Sequence, residues 1–137
     1  MRQYLPTFAE LIDRMSIVQL KAVLAPEHKE KYVDELKLIM QDLDEIIREK
    51  DIKLTGEMVQ AILVLMFANH FIWTNENKAR EAKGQDLDLL RLTHSVNGVR
   101  NNAKNIISQQ IGERKELKLD CLAADIIKEY GYDWNIW

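Results

Sequence analysis

Apolar residues recur at steps of three and four along nearly the whole chain, the period of an amphipathic helix. The first stripe is Phe8, Leu11, Met15, Val18 and Ala22, flanked by Ile12. Its start is marked by Thr7, which follows Pro6 and precedes Glu10 by the spacing of a capping box. Ala25-Pro26 closes it and offers Pro26 as the first residue of a second helix, where a missing N–H does no harm. Residues 27–50 then run without a breaker. Val33, Leu36, Met40, Leu43 and Ile47 make the stripe there, with Ile39 and Ile46 beside it and charged residues opposite. A third helix is predicted over residues 57–83, capped by Thr55 and ended by Gly84. Its first half is apolar on nearly every side, so it is expected to be the central, most buried element. A fourth spans residues 86–111, where Leu89, Leu92, Val96, Val99, Ala103 and Ile106 keep the helical step and Gly98 marks a kink or close contact. Beyond Gly112 a charged link leads to a short helix over residues 120–130. The pattern predicts an all-α fold: an antiparallel bundle of four long helices plus a short C-terminal helix and an aromatic tail.

Composition narrows the class. The chain has 137 residues, enough for a single domain over 1–137 that folds without metal or disulfide. Only 5 Gly and 2 Pro occur, which agrees with long helices. Lys and Arg total 19 against 22 Asp and Glu, and the net charge of −3 argues against binding to duplex nucleic acid. A lone Cys121 excludes an internal disulfide and a cysteine-based zinc site, and it reads as a small packing residue in a reducing, cytoplasmic setting. No apolar segment follows the charge at Arg2, so no signal peptide is expected. The longest apolar run, Ala61 to Ala68, is far shorter than the roughly 20 residues needed to cross a bilayer.

Three polar rows stand out against this background. Glu10, Asp13, Arg14 and Lys21 share a flank of the first helix with Ile17. A solvated face and a cleft wall are both consistent with that spacing. Asn69, Trp73, Glu76 and Arg80 follow at steps of four, three and four on the third helix, so they project from one side. An amide, an indole, a carboxylate and a guanidinium in a row suit stacking on a planar ring and pairing with phosphate. The bland alternative is a core tryptophan beside an ordinary surface ion pair. The fourth helix is rich in amides and hydroxyls: Ser95, Asn97, Asn101, Asn102, Asn105, Ser108, Gln109 and Gln110, with Arg91, Arg100 and Lys104 among them. Asparagine is a poor helix former, so such a helix reads as a pocket wall for a phosphorylated ligand, an oligomer interface or a solvated face.

Enzyme templates fit poorly. His28, His70 and His94 are well separated, and no GxGxxG, Walker or GxSxG motif occurs. All-α nucleotide pyrophosphatases gather Mg²⁺ with two acidic helical pairs. Glu10 and Asp13 have the spacing of one pair, with Asp42 and Glu45 as the other, but the full pattern is absent. Glu10 and Asp13 are kept as metal candidates, and no cofactor is expected.

The segment Thr7-Phe8-Ala9-Glu10-Leu11-Ile12-Asp13-Arg14, continuing to Lys21, resembles the opening of a family of short, uncharacterised all-helical bacterial and phage proteins. A second block, Ile72-Trp73-Thr74-Asn75-Glu76-Asn77-Lys78-Ala79-Arg80, is similar to that family's Leu-Trp, acidic pair and basic residue, and a looser third runs from Ser95-Val96 to Lys104. Ala9 stands where the family has glycine and Asn77 where it has a second acid. The resemblance implies a helical fold and joins Glu10, Asp13, Lys21, Trp73 and Glu76, with Arg80 and Lys104, in one site. It implies no activity.

The function expected from these features is non-enzymatic binding, or sequestration, of a nucleotide, nucleotide-sugar or other phosphorylated small molecule. The site would comprise Glu10, Asp13, Lys21, Asn69, Trp73, Glu76, Arg80, Arg100 and Lys104. A Mg²⁺-dependent phosphohydrolase and a structural protein are the alternatives. The C-terminal aromatics Tyr132, Trp134 and Trp137 either fold back over the bundle or dock on a neighbouring subunit. A homodimer or higher oligomer is expected through them, because an exposed aromatic cluster needs a partner.

Overall fold

Thr7 caps the first helix as its spacing predicts. Its hydroxyl accepts the Glu10 N–H at 3.2 Å, and the Glu10 carboxylate accepts the Thr7 N–H at 3.2 Å. From there the computed structural model describes residues 4–81 and 87–114; for residues 79, 80 and 87–90 it describes the backbone alone. The elements are α1 (Phe8–Leu24), a single 3₁₀ turn at Pro26–His28, α2 (Lys29–Lys50), α3 (Gly56–Glu81) and α4 (Leu87–Ile111). No strand occurs among the described residues, so the chain is all-α there. The expected end of the third helix at Gly84, the helix over residues 120–130, Cys121 and the aromatic tail lie outside the described residues.

The other helix ends also follow local chemistry. Pro26 opens the 3₁₀ turn, so α2 itself starts at Lys29. The Thr55 hydroxyl accepts the Met58 N–H at 3.2 Å and caps α3. After α4, Gly112 takes a positive φ of 72°, and the Glu113 N–H reaches back to the Ser108 carbonyl at 2.9 Å. These bonds satisfy carbonyls that the last helical turn leaves open. Asp51 plays the same part after α2 at φ 48°, with the Ile52 N–H donating to the Ile47 carbonyl at 3.0 Å.

Two helical hairpins result, α1 with α2 and α3 with α4, and α1 packs against all three other helices. Within the α3–α4 hairpin the two helices run antiparallel: Gln110 near the end of α4 bonds Thr55, just before α3, and Glu57 in its first turn. The core joins Phe8, Ala9, Val18, Ile39, Leu43, Met58, Leu65, Ala68, Val96, Val99, Ala103 and Ile107.

Two expectations about burial need correction. The helix that meets all three others is α1, and it is buried on two sides. Phe8, Val18 and Ala22 are buried along the predicted stripe, and Ala9, Asp13, Ser16 and Leu20 are buried along a second one. By contrast α3 is open on one side, where Val59, Leu63 and Phe67 follow at steps of four and are exposed. Apolarity all round does not bury a helix all round when only some of its sides meet neighbours. On α2 the buried line is Ile39 and Leu43 with Tyr32, Leu36 and Ile46 packed beside it, while Met40 and Ile47 are exposed. Both lines keep helical spacing, and contact with α1 selects the one that α1 can cover. Over Gly56–Lys78, α3 is long and apolar enough to cross a membrane by length and composition, with 39% of its most apolar window buried. The expectation of no span came from uninterrupted runs, whereas the whole helix averages apolar across its scattered polar residues.

Candidate functional site

Asp13 lies on the second buried side of α1 and is only 5% exposed. A carboxylate that deep needs charged and hydrogen-bonding partners, since burying it alone is prohibitively costly. Two neighbouring helices supply them. From α4, the Arg100 fork donates through Nε to Oδ1 at 2.9 Å and through Nη2 to Oδ2 at 2.5 Å. One turn further along, Lys104 Nζ stands 3.8 Å from Oδ2. From α3, Asn69 Nδ2 donates to Oδ1 at 2.8 Å. The same amide nitrogen donates to Ser16 Oγ at 3.1 Å, and that hydroxyl donates to Met66 Sδ at 3.3 Å. Arg100 also reaches Asn97 Oδ1 at 3.5 Å.

Asp13, Asn69, Arg100 and Lys104, each singled out from the sequence, therefore meet at one point on three helices. Spacing explains how. Arg100 and Lys104 are four apart, so both overhang one patch of α1, and the small neighbour Ala9 leaves room for helix approach. Charge-assisted and bidentate bonds of this kind are the strong ones and fix geometry closely.

The other candidates lie elsewhere. Glu10 belongs to the start of α1, where its carboxylate also stands 3.5 Å from Arg114 Nη2. Arg114 in turn bonds the Leu5 carbonyl and lies 3.9 Å over the Tyr4 ring. Glu10 and Asp13 are therefore occupied by separate cations and do not form a shared ligand pair. Among the described residues, no group of three or more His, Cys, Asp or Glu could hold a metal ion. Lys21 is half-buried in the last turn of α1 and makes no side-chain bond among the described residues. Trp73 is half-buried one turn beyond Asn69, and Glu76 is exposed. The Arg80 side chain lies outside the described residues.

The amide-rich α4 is not a solvated face throughout. Thr93, Ser95, Asn101, Lys104 and Ser108 are buried, whereas His94, Asn102, Gln109 and Gln110 are exposed. Ser95 donates to the Arg91 carbonyl at 2.9 Å. Asn101 and Ser108 have no side-chain hydrogen bond among the described residues, although they are only 6% and 3% exposed.

Sequence reasoning missed Ser16, Met66 and Glu113. Ser16 was detectable as the polar residue three after Asp13 on the same side. Glu113 carried no such signal, because its role comes from distant chain: it accepts the Phe8 N–H at 2.9 and 3.1 Å and pairs with Lys50 at 3.3 Å. An anion there suits the positive end of α1. A groove of roughly 770 Å³ along the start of α2, between Pro26 and Lys37, touches none of the polar rows.

No family model matches the chain, and neither the curated proteins nor the solved structures compared with it yield a match.

Proposed function

We propose that the chain is a non-catalytic helical protein that binds a small phosphorylated molecule beside the Asp13 cluster, between α1, α3 and α4. The observation that carries this is the convergence of Asp13, Asn69, Arg100 and Lys104 from three helices. A buried ion cluster is a weak stabiliser, because apolar side chains of similar volume hold helices together as well or better. Its value lies in holding a guanidinium and an ammonium one turn apart in a fixed place, as a preorganised anion site requires. Asp13 then acts as a positioning residue, its oxygens already engaged by Arg100 and Asn69. Trp73 offers a half-buried ring one turn from Asn69 on which a base or sugar can stack. In the bacterial or phage setting that the family resemblance implies, binding of this kind amounts to sequestering a cytoplasmic metabolite.

Thermal denaturation of the purified chain with nucleoside mono-, di- and triphosphates, a nucleotide-sugar and pyrophosphate tests this. At 100 times Kd a ligand adds about 2.7 kcal/mol of stability, a rise of roughly 5–10 °C for a chain of this size. Trp73→Ala should reduce that rise for ligands bearing a ring. No shift from any phosphorylated compound, together with a bare chain mass after gentle purification, overturns the proposal.

A second reading, an oligomer without a small ligand, is favoured by Leu63 and Phe67, which are 65% and 54% exposed on the open side of α3. Sedimentation at several concentrations separates the two, since a ligand-binding monomer shows no concentration dependence.

A further inference from the structure

Asn101, Lys104 and Ser108 follow at steps of three and four, so they share one side of α4. Lys104 ties that side to the Asp13 cluster. The two neutral groups beside it are anomalous. Asn101 brings two N–H donors and a carbonyl acceptor, and Ser108 brings a hydroxyl that both donates and accepts. Each is more than nine-tenths buried, and neither bonds any side chain or backbone group among the described residues. Buried polar groups in folded proteins are almost always satisfied, so an amide and a hydroxyl left over on one helix side call for a polar occupant. A serine within a helix ordinarily bonds the carbonyl one turn back, and Ser108 does not.

The chemistry of this pair differs from that of its neighbours. Arg100 and Lys104 suit an anion, whereas an uncharged amide and a hydroxyl suit groups that donate and accept at once. Adjacent alcohols on a sugar ring have that character. We propose that Asn101 and Ser108 form the sugar-reading half of the site, so that the ligand is a phosphorylated sugar, with its phosphate toward Arg100 and Lys104. This rests on the phosphate-binding reading above and specifies its substrate class.

Calorimetric titration of the full chain with glucose 6-phosphate, ribose 5-phosphate, inorganic phosphate and glucose provides the test. Sugar phosphates should bind at least about tenfold more tightly than inorganic phosphate, because a site built to bond hydroxyls discriminates against ligands that lack them. Asn101→Leu and, independently, the smaller change Ser108→Ala should each erode the preference for sugar phosphates over inorganic phosphate. Equal binding of sugar phosphates and inorganic phosphate, or a preference that survives both substitutions, overturns the inference but leaves phosphate binding standing. Failure of every phosphorylated probe to bind removes both.

Discussion

At Asp13 a nearly inaccessible carboxylate meets a guanidinium, an ammonium and an amide. Changing it to asparagine keeps the shape and removes the charge, so Arg100 and Lys104 face a neutral group in a buried setting. Asp13→Asn should therefore cost about 3 kcal/mol in urea denaturation. Replacing Asp13, Arg100 and Lys104 together with leucine or methionine should cost less than that single change, since no buried charge then remains. Glu10 and Asp13 looked alike in the sequence, two acids three apart on one helix. What separates them is position: Glu10 stands in the first turn, where Thr7 three residues earlier claims its carboxylate. The capping box was legible, but its consequence, that Glu10 is unavailable for a paired site, was easy to overlook. Asn101 and Ser108 were visible only as part of an amide-rich stretch, because spacing along one helix does not reveal which side a neighbour covers.

The helices themselves were legible because their ends carry local chemistry. Thr7, Pro26, Thr55 and Gly112 each act where their backbone preferences place them. Asp51 was not anticipated as a helix stop, and it holds a left-handed conformation at φ 48° that glycine adopts more easily. Asp51→Gly should raise the melting temperature, by an amount equivalent to about 0.5–1 kcal/mol, in a thermal scan. Elements were harder to orient than to find. On α2, Met40 and Ile47 fit a helical stripe as well as Ile39 and Leu43 do, and only packing against α1 decides between them. On α1, the second buried side does not show in the apolar pattern because Asp13 and Ser16, two of its members, are polar. Periodicity detects apolar sides, and a polar side that is buried escapes it.

At the scale of the described residues, two hairpins meet mainly through α1, and the Asp13 cluster lies on that seam. The all-α class follows from pattern alone, whereas which sides of each helix are covered depends on contacts between segments far apart in sequence. Glu113 shows the same dependence, since it joins the start of α1 to the end of α2 from just beyond α4. This arrangement has a bearing on time as well as on energy. Contacts within each hairpin are local and close quickly, but Asp13 meets Asn69 across 56 positions and Arg100 across 87. Closing loops of that length costs entropy before any bond compensates for it, so the seam should knit last. In stopped-flow measurements Asp13→Asn should then accelerate unfolding and leave the refolding rate nearly unchanged. A ligand clasped across the seam would act in the opposite sense, as a latch that lengthens the lifetime of the folded chain without hastening its formation.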